Sequence, residues 1–100
     1  MLHGFKEFQL ELDHEGHTIM EAAHQEYASE ADRLQNFNLR AGMGGLTPRQ
    51  VLTNDLGKHI LSIFKGVSLR EPMRGRIIDA MNYLRLLAYM EYLEELERNP

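Results

Sequence analysis

Apolar residues recur at every third or fourth position along most of the chain, which is the spacing of one face of an α-helix. In the first segment, about 5–28, this spacing is followed by Phe5, Phe8, Leu12, Gly16, Ile19 and Ala23. The run Phe8–Leu12 also alternates between apolar and polar residues, and Gly16 costs a helix roughly 1 kcal/mol relative to alanine. We favour a helix here. The alternative is a strand or an irregular start, followed by a helix from about Gly16.

A short helix is predicted between two breaks in the chain. Ser29 and Asp32 are three residues apart, as in a helix-capping pair, which indicates that the chain breaks and restarts there. Leu34 and Phe37 then supply the apolar anchors of a short connecting helix. We expect that helix to stop at the glycines of 42–45.

The next helix has well-defined ends. Thr47 is a helix-capping residue, Pro48 suits the first helical position, and Gln50 completes a capping box. Gly66 ends the helix, and Lys65 lies in the last turn, where a cation complements the helix dipole. The predicted apolar stripe consists of Leu52, Leu56, Ile60, Ile63 and Phe64.

The last predicted helix starts within 68–72, runs to about Glu97 and is apolar on nearly every side between Ile77 and Leu96. Such a helix is central in a bundle, or it buries a second face against another subunit. A chain of 100 residues makes one domain and can hardly cover both faces. The sequence therefore predicts a single all-α domain, 1–100. It is a small bundle of three main helices plus a short connecting helix, completed by homodimerisation.

Composition narrows the class of protein. The hydrophobic fraction of 43% and the charged fraction of 26% are typical of a globular domain. Cysteine is absent, which leaves histidine, carboxylate and water as the available metal ligands. No apolar run approaches the roughly 20 residues that span a bilayer, and the N-terminal residues lack a signal-peptide pattern. We expect a cytoplasmic protein without a membrane partner.

The charge is unevenly distributed. The formal net charge of −4 argues against general nucleic-acid binding. Residues 47–76, however, form a basic island with six cationic and two anionic side chains. Its cations are Arg49, Lys58, Lys65, Arg70, Arg74 and Arg76. They either pair with the acidic flanking segments or bind a phosphate-bearing ligand.

A histidine-rich strip lies in the first segment. His14, His17, Glu21 and His24 follow at steps of three, four and three, which places them on one helical face. His17, Glu21 and His24 are therefore candidate ligands of a divalent ion. The simpler interpretation is a solvated polar face, because metal ligands normally need partners from another element.

Asp79 is unusual because it lies on the apolar last helix. A carboxylate that faces a core must be paired or bound to a metal, since unpaired burial is very costly. Asn82 and Tyr83 extend a polar strip on the same helix. The candidate partners of Asp79 are Lys58 and His59, in the middle of the previous helix, or an arginine across the bundle, and Lys58 is equally suited to a phosphate contact.

Short segments spread over most of the chain carry a family resemblance. They are Tyr27-Ala28, the run 32–37, Thr47-Pro48, Lys58-His59, Ser62-Ile63 and the run 79–87. In order and spacing these segments resemble a group of small phage and prophage proteins. That group is similar to the MazG-like all-α nucleotide pyrophosphatase superfamily and its phage nucleotide-modification-associated relatives. The resemblance covers roughly Glu21 to Leu96.

The resemblance implies a helical bundle, usually dimeric, that binds nucleotide phosphates through magnesium and cleaves nucleoside triphosphates to the monophosphate and pyrophosphate. The implied catalytic residues are Asp79 and Glu21. The implied ligands of a divalent metal, magnesium or manganese, are Glu21, His17, His24 and Asp79. The implied ligand-binding residues are Lys58, Arg76, Asn82, Tyr83, Tyr27 and Asn36.

The chain departs from the family where the last helix supplies a glutamate three or four residues before the aspartate that matches Asp79. Gly75 and Arg76 occupy those positions, and neither binds magnesium, although Arg76 suits a direct phosphate contact. We therefore expect nucleotide binding, with weak or degenerate pyrophosphohydrolase activity as a less favoured variant. The alternative is a phage-encoded interaction or inhibitor protein that keeps the helical scaffold and binds a host protein in the host-cell cytoplasm.

Overall fold

The chain folds into helices joined by short connections. The structure is a computed structural model that describes residues 4–27, 34–66 and 72–99, with side chains only to residue 22 in the first range. It contains α1 (Phe5–Tyr27), α2 (Gln35–Gly44), α3 (Pro48–Lys65) and α4 (Met73–Arg98). No strand occurs in the described ranges, which confirms the all-α class and the helical interpretation of the first segment.

The ends of α3 are those that the sequence predicts. The Thr47 hydroxyl accepts a hydrogen bond of 3.1 Å from the Gln50 backbone N–H, and the Thr47 backbone N–H donates to the Gln50 side chain at 2.8 Å. The two bonds satisfy donors that a helix N-terminus leaves without partners. At the other end Gly66 adopts a φ of 63°, which glycine reaches without a steric penalty, and its N–H bonds the carbonyls of Ser62 and Ile63.

Helix α2 extends further than its glycines suggest. It continues through Gly42 to Gly44 and ends at Gly45, which has a φ of 69°. Phe37 and Ala41 are buried, so packing holds a stretch that local propensity alone would break. The predicted cap at Ser29 and Asp32 lies outside the described residues, as do residues 68–71 of the predicted start of the last helix within 68–72. The described helix begins at Met73, with Pro72 as its N-cap.

The apolar core lies where α3 packs between α2 and α4. Its buried members are Leu34, Phe37, Ala41, Val51, Leu52 and Met90, and Tyr83, Leu86, Leu87 and Leu93 pack against them. The predicted stripe of α3 is rotated from the buried face. Leu52 is fully buried, but Phe64 is 83% exposed. The buried face includes Asp55 and, in part, His59, which a purely apolar criterion leaves out.

Helix α1 packs against α4 around Gly16. Gly16 is buried and Leu12 is half-buried, whereas Phe5, Phe8 and Ile19 from the same predicted face are exposed. The predicted face is therefore buried only around Leu12 and Gly16, although the Arg74 guanidinium of α4 lies 5.2 Å from the centre of the Phe8 ring. The side chain of Ala23 lies outside the description.

Helix α4 is central, as predicted, because it contacts both α3 and α1. Ile78, Ala80, Asn82 and Met90 form its buried side. A second side stays open to solvent and exposes Ile77, Leu84, Tyr89, Tyr92 and Leu96. Within the described ranges, no helix combines the length and the apolar character that crossing a bilayer requires.

Candidate ligand-binding site

An ion pair joins α2 to α3. Arg40 Nη1 donates to Asp55 Oδ2 at 2.6 Å, and Nη2 donates to Oδ1 at 3.1 Å. Asp55 projects from the buried face of α3, so its side chain is only 11% exposed, against 44% for Arg40. The two hydrogen bonds offset the cost of burying this carboxylate and raise the pKa of Arg40 above its ordinary value.

A cavity of about 360 Å³ opens beside this ion pair. Leu46 and Val51 form apolar walls, and Arg40, Asn54, Asp55 and Lys58 supply the polar ones. Lys58 follows Asp55 by one helical turn and therefore lies on the same side of α3. Among the residues that the structure describes, Lys58 forms neither a hydrogen bond nor an ion pair. The cavity therefore combines an uncommitted cation with an apolar surface.

Aromatic side chains lie next to the Arg40–Asp55 pair. The ring of His59 packs against that of Tyr83 with centroids 4.8 Å apart, and Phe37 meets Tyr83 edge-on at 6.2 Å. Burial, reinforced by Asp55, raises the pKa of the Tyr83 hydroxyl, and Asp79 adds to the rise while Arg40 opposes it. Asp79 is half-buried one turn before Tyr83 and is therefore within electrostatic reach of the same cluster.

The polar strip predicted on α4 divides between two neighbours. Tyr83 faces α2 and α3, whereas Asn82 donates from Nδ2 to the Gly16 carbonyl of α1 at 3.0 Å. Asn82 Oδ1 accepts from Arg85, which also pairs with Asp13 at 3.0 Å. The structure thus gives Asn82 a role in holding α1 to α4.

The other predicted ligand-binding residues are dispersed. Arg76 Nη1 donates to the Ser62 carbonyl at 2.9 Å, near the C-terminus of α3, where a cation complements the helix dipole. Asn36 is half-buried in the first turn of α2. Tyr27 ends α1, and its side chain lies outside the description. Of the predicted set, Lys58 is the only residue with a described side chain that lines the cavity.

The predicted metal ligands are not brought together by the described side chains. His17 is exposed and Glu21 is half-buried on α1, while the side chain of His24 is outside the description. Within the described residues, no three histidine or carboxylate side chains form a group that fits a metal ion. Asp55, the carboxylate at the cavity, is already bonded to Arg40. The set His17, Glu21, His24 and Asp79 stays a prediction, and no chemical step is assigned to a metal.

The basic island is partly neutralised by acidic neighbours. Arg49 pairs with Glu94 at 2.8 Å and with Glu91 at 2.9 Å, and Arg74 pairs with Glu15 at 2.7 Å. Arg70 lies outside the described residues. Lys58 and Lys65 have no such partner in the described part of the chain. Within the described residues, the island therefore contains both cations that are paired with acidic side chains and cations that are available to a ligand.

Arg40 and Asp55 were not among the predicted site residues. Asp55 carried a signal, because it falls on the same helical face as Val51 and Leu52, and a charge on an apolar face indicates a buried pair. Arg40 carried none. It lies on another helix, fifteen positions away, and no regular spacing links the two residues.

Comparison with known proteins does not assign the chain to a family. No protein-family model, no curated protein sequence and no solved structure matches it. Function is therefore inferred from the cavity beside Arg40, Asp55 and Lys58.

Proposed function

We propose that the chain binds a nucleotide, or another phosphate-bearing small molecule, in the cavity between α2 and α3. The observation that carries this proposal is Lys58, a cation on the cavity wall that has no hydrogen bond or ion pair among the described residues of a chain whose net charge is −4. A lysine ammonium is a strong phosphate contact. The volume of about 360 Å³ falls within the range of about 300–1,000 Å³ that is usual for small-molecule sites.

The walls suit the separate parts of a nucleotide. Lys58 and the solvent-facing N–H groups of Arg40 are the donors for phosphate oxygens. Leu46 and Val51 offer apolar surface to a base or sugar, and the Asn54 amide can both donate and accept hydrogen bonds. Apolar walls with a few placed polar groups are typical of sites that orient a small molecule.

Binding is favoured over hydrolysis within this proposal. Gly75 and Arg76 stand where the resembling family has a metal-binding glutamate, so the carboxylate set for a pyrophosphohydrolase is incomplete. Asp79 and Glu21 remain the candidate catalytic residues of the less favoured variant. Pyrophosphate release by the wild type and by Asp79→Ala tests that variant, and equal rates would remove Asp79 from the mechanism.

The binding proposal is tested by melting the protein in the presence of nucleotides, with and without magnesium or manganese. A ligand of the folded state raises the melting temperature. We expect Lys58→Gln to lose most of this rise. Lys65→Gln is the matched control, because Lys65 lies on the same helix, does not line the cavity and has no ion pair with any described residue.

Two results would contradict the proposal in different ways. Equal ligand-induced shifts in Lys58→Gln and Lys65→Gln would place the nucleotide somewhere other than the cavity. No shift with any nucleotide and metal would remove the nucleotide function altogether. The interaction protein that binds a host protein would then be the remaining candidate.

We also propose that the chain acts as a homodimer, with a second copy on the exposed side of α4. Exposed apolar residues spaced along a helix are typical of helix–helix contacts. Read in opposite directions, these exposed residues pair Ile77 with Leu96 and Leu84 with Tyr89, and the half-buried Met81 pairs with Tyr92. A surface that is complementary to itself in this way suits the two-fold symmetry of most homodimers.

A further inference from the structure

The Asp55 carboxylate is the polar group of the cavity that a phosphate does not use. It accepts two roughly parallel hydrogen bonds from the two terminal nitrogens of Arg40, at 2.6 and 3.1 Å. A carboxylate held in this way is a receptor for any planar group that presents two adjacent N–H donors. The guanine ring is such a group, because its N1–H and its exocyclic amine form a guanidine-like edge.

We propose that the cavity selects guanine nucleotides, with Asp55 accepting the N1–H and the exocyclic amine of the base in place of Arg40. This inference rests on the proposed nucleotide binding and adds the identity of the base. Asp55 projects from the buried face of α3, where the cavity also has the apolar walls Leu46 and Val51. The base therefore has a two-acceptor partner for its edge and apolar surface for its faces.

The exchange keeps the buried carboxylate hydrogen-bonded, although its partner changes from a cation to the neutral edge of the base. Arg40 is 44% exposed and is free to turn toward solvent, whereas Asp55 is 11% exposed and stays in place on α3. The guanine edge replaces the two hydrogen bonds that Asp55 loses, so the cost of an unpaired buried carboxylate is avoided. The released Arg40 then joins Lys58 as a phosphate donor, since both line the cavity.

Other bases lack the matching donors. Adenine presents a ring-nitrogen acceptor beside its amine, which places a lone pair against the carboxylate. Hypoxanthine keeps the N1–H but has no exocyclic amine, so one of the two hydrogen bonds is lost. A site built to pair a substrate group rejects analogues that leave its own polar groups unpaired.

The test is isothermal titration of the full chain with guanosine, inosine and adenosine 5′-monophosphates. We expect the guanine nucleotide to bind about tenfold to a hundredfold more tightly than the hypoxanthine nucleotide, as one hydrogen bond to a charged acceptor implies. The adenine nucleotide is expected to bind most weakly. Asp55→Asn should reduce the guanine preference to about twofold or less, since a neutral amide presents only one acceptor atom.

Glu91→Gln is the matched control. It makes the same change from carboxylate to amide in another arginine ion pair, Arg49–Glu91, which does not line the cavity. The guanine preference should persist in this variant. Should Asp55→Asn fail to fold, the comparison of guanine with hypoxanthine on the wild type still tests the same contact from the ligand side.

Each outcome bears on one proposal. Equal affinity of the wild type for the three nucleotides, or a preference for adenine, overturns the guanine assignment and leaves nucleotide binding standing. A guanine preference that survives Asp55→Asn overturns the role of Asp55. Absence of binding by all three nucleotides, with or without magnesium, overturns the guanine assignment together with the binding of purine monophosphates, and the melting panel then decides on the proposed function itself.

Discussion

Gly16 in α1 and Gly57 in α3 both occupy helix-interior positions, but their surroundings differ. At Gly16 a Cβ atom would lie 3.3 Å from Asn82 Oδ1 and 3.4 Å from Arg85 Nη1, so the absence of a side chain lets α1 approach α4 closely. At Gly57, in the middle of α3, a Cβ atom would meet nothing within 4 Å. Only the first glycine is explained by packing within the chain.

This contrast predicts that replacing each glycine by alanine changes the free energy of unfolding differently. Gly57→Ala should raise the free energy of unfolding by about 0.5–1 kcal/mol, because alanine restricts the unfolded chain and favours the helix. Gly16→Ala should gain less than that or lose stability, since its new methyl group crowds Asn82 and Arg85. Urea denaturation of both variants measures the difference. Equal gains would show that α1 has room to move away from α4.

Individual residues of the site were predictable only where their charge contrasts with the residues around them in the sequence. Lys58 stands out as a cation in the middle of a helix, and the structure places it on the cavity wall. Asp55 was recognisable as a charge on an apolar face, but its partner Arg40 belongs to another helix. The cavity depends on how two helices pack, and one-dimensional spacing does not contain that information.

At the scale of helices, the ends were predictable and the orientation was not. Thr47, Gln50 and Gly66 act through bonds to their near neighbours, so the sequence alone indicates them. The buried face of α3 depends on α2 and α4, and it includes Asp55 as well as apolar residues. Packing also carries α2 past Gly42, against its local propensity.

The capping box of α3 gives a prediction at this scale. Thr47→Ala removes the acceptor for the Gln50 N–H and should lower the free energy of unfolding by about 1 kcal/mol, within a usual range of about 0.5–2. Thr53→Ala is the control, because Thr53 is exposed inside the same helix and its hydroxyl bonds only helix carbonyls. Thermal and urea denaturation measure both. If Thr53→Ala lowers the free energy of unfolding by as much as Thr47→Ala does, the loss comes from replacing a threonine anywhere in the helix and not from the cap.

At the scale of the molecule, the apolar side of α4 bears on assembly. Homodimerisation predicts that Leu84→Glu, which places a charge in the middle of this side, shifts the chain from dimer to monomer in sedimentation velocity. Leu39→Glu is the control, because Leu39 is an exposed leucine of another helix, α2. A wild type that sediments as a monomer at all concentrations would contradict the proposed dimer.

The apolar core has a consequence for how firmly each helix is held. Among the described side chains, the buried apolar cluster draws only on the segment from Leu34 onward and has no member from α1. Helix α1 is attached instead through the close packing of Gly16 beside Ile78, the Gly16–Asn82 hydrogen bond and exposed ion pairs such as Asp13–Arg85. Exposed pairs contribute about 0–1 kcal/mol and are screened by salt. We therefore expect concentrated salt to weaken the contacts between α1 and α4 before it affects the apolar core of the other three helices.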